Sequence, residues 1–241
     1  MSSWFVRRID AGWLIWITSA LRHNTPREVE RMPYIINNYR IPKPGQYTNV
    51  VRGVAESLKA IGRAGFVNVP ISPPMPNAQG MGVVSTLAGL DTLDDVDALF
   101  DSMMADDMAA LAARDELSAM CERANLSVSR VLSPPWTPPE GFEAKIISRN
   151  IVVAKPGKIA ELLELLLEWG EELDFRGAGV VSVSLGGQLG AIRVSHIVES
   201  LQALEDLNGQ IGASPRVQKL VELTNGPAVR AVGRITYINQ P

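Results

Sequence analysis

Two stretches decide the fold: Tyr39-Arg40-Ile41-Pro42-Lys43-Pro44-Gly45-Gln46 and Ile151-Val152-Val153-Ala154-Lys155-Pro156-Gly157-Lys158. Each is a strand-like run that stops at Lys-Pro-Gly. Pro44 and Pro156 have no N–H to give to a β-ladder, and the glycine after each permits a tight turn. The pattern predicts a strand, a turn and then a helix. Helical spacing does follow both times: Val50, Val51, Val54, Leu58 and Ile61 in the first case, and Ile159, Leu162, Leu163, Leu166, Leu167 and Trp169 in the second. Glycines supply the expected helix stops, in Arg63-Ala64-Gly65 and in Arg176-Gly177-Ala178-Gly179.

The parallel continues outward from these stretches. Val180–Leu185 and Ala191–Ile197 alternate around Gly186-Gly187 and read as a hairpin. Their counterparts, Phe66–Val69 and Gly82–Leu87, are joined by a longer proline-rich connection, Pro70–Met81. Next come Leu90-Asp91-Thr92-Leu93 and Val198-Glu199-Ser200-Leu201, with Thr92 and Ser200 placed as helix N-caps. A second helical region follows each, and Cys121 falls in one of them, Leu117–Cys121. A last strand then closes each copy, at Val128–Val131 and Val232–Ile235. Each copy is therefore β-α-β-β-α-β.

The organisation expected is an extension at residues 1–32, a first βαββαβ repeat at 33–132, a proline-rich linker at 133–142 and a second repeat at 143–241. A four-stranded antiparallel sheet with helices on one face needs a cover for its other face. Two copies in one chain can supply that cover. The fold class expected is α+β: two ferredoxin-like repeats packed sheet to sheet as a single-chain pseudo-dimeric α/β barrel.

Composition bounds the function. A hydrophobic content of 46% is ordinary for a globular core, and a net charge of −3 with no basic patch argues against nucleic acid. One cysteine and two histidines leave no Cys/His cluster for a metal, so neither metal nor cofactor is expected. Low cysteine use fits a reducing, cytoplasmic setting. The N-terminal segment has three readings: an accessory helix, an over-long start with translation from Met32, or a targeting or interfacial helix. Its apolar run, Ala11–Leu21, is shorter than the ~20 residues that span a bilayer, so no stable membrane span is expected.

The strand–Lys-Pro-Gly–helix opening and the strand–acid–Ser/Thr–helix segment resemble the dimeric α/β-barrel superfamily, in particular its antibiotic-biosynthesis-monooxygenase-like and NIPSNAP-like members. The resemblance covers residues 33–132 and 143–240. It implies a barrel built from paired sheets and a range of activities, among them cofactor-free oxygenases, haem-degrading enzymes, lyases and isomerases. It also implies an Asn–Trp–His triad in the haem-degrading members. Asn37 or Asn38 and Asn150 supply the first of these, but Leu90 and Val198 hold the Trp position and neither second helical region contains His, so that activity is set aside.

Candidate site residues follow from what both copies keep. Asn38 matches Asn150 and Arg130 matches Arg234. An Asn and an Arg on adjoining strands can hold an enolate or carboxylate in a dry pocket; Arg40 lies on the strand of Asn38 and Arg193 on that of His196. His196 ends the third strand of the second copy, where the first has Ala88, and is a candidate general base. Alternation sets Asn38, Arg40 and Asn150 opposite Tyr39, Ile41 and Val153, which points the former into the barrel if the latter face the helices. The catalytic candidates are thus His196, Asn150 and Asn38, and the substrate-binding candidates Arg130, Arg234, Arg193 and Arg40. Two functions stand side by side: a cofactor-independent monooxygenase or isomerase of a hydrophobic oxygenated molecule, and a non-catalytic NIPSNAP-like binding protein or scaffold. The C-terminal copy is expected to be the working half, with Pro70–Met81 as its lid. Dimerisation beyond the intramolecular pair stays open.

Overall fold

In a computed structural model, the described residues are 33–71, 82–105, 108–134 and 138–239. Expectations for the N-terminal extension, for most of the Pro70–Met81 lid and for the centre of the linker fall outside them. The first half runs β1 (Tyr34–Pro42), α1 (Tyr47–Ile61), β2 (Gly65–Pro70), β3 (Val83–Leu90), α2 (Leu93–Met104), α3 (Met108–Ala119) and β4 (Cys121–Val131). The second runs β5 (Ile146–Val153), α4 (Ile159–Glu172), β6 (Gly177–Ser184), β7 (Ala191–Val198), α5 (Leu201–Ala213), α6 (Arg216–Leu223) and β8 (Val229–Asn239). No helix among the described residues is long and apolar enough to cross a membrane.

The turns behave as their residues dictate. Gly45 and Gly157 take φ of 79° and 76° in the two Lys-Pro-Gly turns, values that favour glycine. Thr92 accepts from the Asp95 backbone N–H while Asp95 accepts from the Thr92 N–H, a full capping box. Ser200 accepts from the Ala203 N–H at 3.0 Å. The helix stops differ from expectation. α1 ends on Gly62 in the left-handed region and α4 ends on Leu173 in extended backbone, so Gly65, Gly177 and Gly179 are strand residues. Cys121 likewise opens β4 instead of closing a helix; its thiol is buried and donates to the Leu117 carbonyl at 3.3 Å.

All strand pairs are antiparallel and close in the order β1-β3-β2-β8-β5-β7-β6-β4. Read by halves, the order is β4-β1-β3-β2 and then β8-β5-β7-β6, and the halves join at their edges. β2 pairs with β8 from Gly65↔Asn239 to Pro70↔Gly233, and β4 pairs with β6 from Ser129↔Ser184 to Val131↔Ser182. Both β4 and β8 run 11 residues, well beyond Val128–Val131 and Val232–Ile235: β4 is paired to β1 along nearly all its length, and β8 serves β5 with its first part and the seam with its last.

A period of two then sorts the side chains. On the outer face Ile36, Val67, Val83 and Leu87 pack against Val50, Val54 and Leu58 of α1. In the second half Val152, Val181 and Ile192 meet Leu162, Leu165 and Leu166 of α4. On the inner face Phe66, Ile147, Ala178, Ile197 and Ile235 gather with Phe142 from the linker side and plug one end of the barrel. Asn38, Arg40 and Asn150 share the parity of Ile36 and Val152, so they face the helices and not the barrel. The pleat reverses the facing expected from sequence, because Tyr39, Ile41 and Val153 point inward.

Gly65 and Gly177 leave no room for a side chain against the neighbouring strand. A Cβ on Gly177 would sit 2.4 Å from the Ile197 carbonyl oxygen, and one on Gly65 would sit 2.5 Å from that of Thr86. Gly177→Ala is therefore expected to lower stability by about 1–3 kcal/mol through overpacking, read from the urea midpoint. Gly186→Ala, with nothing within 4 Å of the new Cβ, is the neutral control.

Candidate functional site

A cavity of about 340 Å³ lies between the outer face of the second half's sheet and α4. Its floor includes Asn150 on β5, Gly177 and Gly179 on β6, His196 on β7 and Arg230 on β8; Trp169, Leu166 and Leu167 of α4 form its roof. Phe175 and Leu220 line its sides. The two glycines leave the floor low. A Cβ on Gly179 would meet Phe175 at 3.8 Å and His196 at 4.0 Å, ordinary contact that would take up cavity space. α6 is held across α4 by Arg216, which donates from Nε to Glu172 at 2.7 Å and from Nη1 to Glu168 at 3.0 Å.

His196 is 5% exposed and meets Phe175 edge-on, with centroids 5.7 Å apart and planes at 83°. Burial, with the Arg230 charge nearby, lowers its pKa to about 4. The imidazole is neutral at pH 7. Arg230 is exposed at the mouth and donates from Nε to the Asn150 Oδ1 at 2.6 Å. That bond orients the carboxamide: with Oδ1 occupied, the Asn150 Nδ2 and the rest of the guanidinium remain as donors for a ligand oxygen. The pocket is thus apolar along its length, with donors and one neutral base at one end.

Of the residues singled out from sequence, the structure brings His196 and Asn150 together here. Asn38 and Arg40 lie on the outer face of the first half, where Asn38 Oδ1 and Arg40 Nε are buried without a partner. Arg130 and Arg234 are exposed, and Arg193 points into the barrel. Arg230 is not among the residues singled out from sequence, because the last strand is expected over Val232–Ile235 whereas β8 begins at Val229. Arg230, Val232 and Arg234 do alternate, and that spacing was the available signal. Arg149 was missed as well. It lies one residue from Asn150 and takes the opposite, inward face.

The first half has the same framework but a filled site. Asn38 pairs with Ser85 and Ile36 with Leu87, after which Tyr34 pairs with Leu90. β3 thus carries one extra residue, with Gly89 at φ 77° inside it. In the second half Ser148 pairs with His196 without a shift. The bulge makes Leu87, not Ala88, the residue that takes His196's place, and Ile36 takes that of Ser148.

These features define an α+β protein with a closed eight-stranded antiparallel barrel, six helices among the described residues and a pocket beneath one of them. No protein-family model matches the chain, and no curated protein sequence matches it significantly. Solved structures do share its fold. A putative monooxygenase from Fusobacterium nucleatum superposes with a TM-score of 0.62 at 7% identity, over 88% of this chain and 95% of that one. An anthrone oxidase-like protein gives 0.57 at 12% identity, over 87% and 93%. A variant chlorite dismutase from Candidatus Nitrospira defluvii gives 0.55 at 10%, over 87% and 96%. At these identities the likeness is one of fold: the chain shares the α/β barrel of these proteins.

The buried neutral histidine makes stability depend on pH. Unfolded, its pKa lies near 6.5 and, folded, near 4, so acid favours the unfolded chain. The contribution is intact above about pH 6.5 and is lost as pH falls towards 4, on the order of 3 kcal/mol in all. Urea unfolding at pH 7 and pH 4 is expected to show the wild type losing more stability than His196→Gln by roughly that amount. Equal losses would mean that water reaches the imidazole.

Proposed function

We propose that the chain is a single-chain pseudo-dimer of a duplicated βαββαβ unit, and that its C-terminal pocket binds a flat, hydrophobic ketone or phenol as its enolate or phenolate and oxidises it with dioxygen, without a cofactor. The observation that carries this is one apolar pocket, roofed by Trp169, in which a base and an oriented Asn–Arg pair share one end. Arg230 and the Asn150 Nδ2 hold the ligand oxygen and stabilise its negative charge. A ligand that covers Arg230 excludes water from it and strengthens that attraction. His196 takes the proton released on enolisation. The bound anion offsets the Arg230 charge that otherwise disfavours an imidazolium, so the histidine becomes more basic when the ligand arrives.

The structural likeness to an anthrone oxidase-like protein supports a tricyclic ketone as first probe. For anthrone the reaction balances as C14H10O + O2 → C14H8O2 + H2O. The ring CH2 loses one proton to His196 and the carbanion adds dioxygen, giving a ring hydroperoxide once that proton returns. Loss of the second C–H proton with cleavage of the O–O bond then leaves the carbonyl, four electrons having passed to dioxygen in all. One oxygen atom stays as the new carbonyl, and the other leaves as water. A second reading, a non-catalytic binding protein of NIPSNAP-like type, is favoured by the low basicity of His196 in the ligand-free pocket.

Oxygen uptake and anthrone binding test both readings. Arg230→Gln is expected to weaken binding about 10- to 100-fold, the loss of one charge-assisted hydrogen bond. Gly179→Val, which fills the floor, should abolish binding while the chain stays folded. His196→Gln should keep binding and lose about 10²–10⁴ in turnover. Binding without oxygen uptake favours the second reading. Oxidation at the wild-type rate by Gly179→Val removes the pocket from the account.

A further inference from the structure

The barrel interior holds a second polar group, separate from the pocket under α4. Arg149 on β5 points inward and donates from Nη2 to the Asn68 Oδ1 at 2.9 Å and to the Thr86 Oγ1 at 3.0 Å. Thr86 in turn donates to the Asn37 Oδ1 at 2.9 Å. Asn68 and Thr86 are 2% and 6% exposed, so this guanidinium sits among buried neutral oxygens. Arg193 on β7 lies on the same inner face, cross-strand from Ser182 and Ile151. Ser182 is cross-strand from Val131, two residues from Ser129 on β4, and Ser129 is diagonal to Asn37 across β1. The register thus places a polar girdle around the waist of the barrel, above the plug of Phe66, Phe142 and Ile147.

The girdle is unbalanced in both hydrogen bonds and charge. Asn37 Nδ2, Arg193 Nη1, Ser129 Oγ and Ser182 Oγ are all buried without a protein partner, and all four can donate. Among the described residues neither Arg149 nor Arg193 takes part in an ion pair. Burial lowers the pKa of both, and the neighbouring Arg193 charge adds to the effect on Arg149, which falls to about 9. Both remain charged at pH 7. Both guanidiniums are partly buried; charges drawn out of water are ordinarily paired, and water cannot neutralise two like charges. An eight-stranded barrel has room inside for one small ligand.

We infer that the barrel interior is a binding site for one small oxyanion, of the phosphate, sulfate or carboxylate class, held between Arg149 and Arg193 and capped by the free donors of Asn37, Ser129 and Ser182. Guanidinium forks and hydroxyls match several acceptor oxygens at once, which selects an oxyanion over a halide. The ion enters beside β4, whose residues Glu122–Leu126 are exposed below the short β4·β6 seam. The anion supplies the counter-charge that lets two arginines face each other inside a closed barrel. It is structural in effect and independent of chemistry in the pocket.

The full-length chain, dialysed free of anions, is titrated with inorganic phosphate at constant ionic strength set by chloride. A saturable rise in Tm is expected, on the order of 5 °C at a hundredfold excess over Kd, with one phosphate bound per chain by calorimetry. Arg193→Gln should lose the rise, and exposed Arg130→Gln should keep it. Asn37→Asp places a carboxylate in the girdle, so it should raise Tm without phosphate and abolish the phosphate response. It decides the matter even where Arg193→Gln fails to fold. No saturable response in the wild type overturns the site, as does a linear rise shared by Arg193→Gln and Asn37→Asp, since the latter is the general effect of an excluded salt.

Discussion

Everything in this molecule depends on the two edge pairings, β2 with β8 and β4 with β6. A four-stranded sheet with helices on one face has two exposed ladder edges and one uncovered face, and both are costly in water. Joining the edges of the two halves answers both at once. The ladder closes on itself, and the faces turned from the helices become the inside of a barrel. One seam also sets strand length: β8 continues past its own sheet to meet β2, while its earlier residues, paired to β5, carry Arg230 to the mouth of the pocket.

Closure also gives every strand two unlike environments. Inward positions meet other inward positions across a narrow interior, apolar at the Phe66–Ile147–Ile235 end and polar at the girdle of Arg149, Thr86 and Asn37. Outward positions meet helices. The outward face can be filled or left open by few changes. In the first half Ile36 and Leu87 fill the space under α1. In the second, Ser148 and His196 occupy the equivalent pairs, and α4 places Trp169 over a cavity. A single extra residue in β3 separates the two outcomes, since it slides Leu87 into the register that His196 holds.

Much of the architecture was legible because it rests on local rules. Lys-Pro-Gly marked two strand ends, and Thr92 and Ser200 marked two helix starts. The strand facing was not legible, because alternation alone fixes which residues share a face and not which face is covered. Gly65 and Gly177 read as helix stops for a related reason: their small size serves close strand approach, a tertiary demand that local patterns do not encode. At the site, His196 and Asn150 were visible as polar residues inside apolar runs. Arg230 was hidden because β8 begins ahead of its apolar run, in a stretch paired to β5 about 80 residues back in sequence, and Arg149 because its neighbour Asn150 takes the opposite face.

We have proposed that one outward pocket, in the C-terminal half, holds an oxygenated flat ligand by its polar end. A crystal structure of the protein soaked with anthrone tests it most directly. Density is expected beneath Trp169, with the ligand oxygen within hydrogen-bond reach of Arg230 and Asn150 and its reacting ring carbon towards His196. Density in the barrel interior or under α1, with the space beneath Trp169 unchanged, would contradict it.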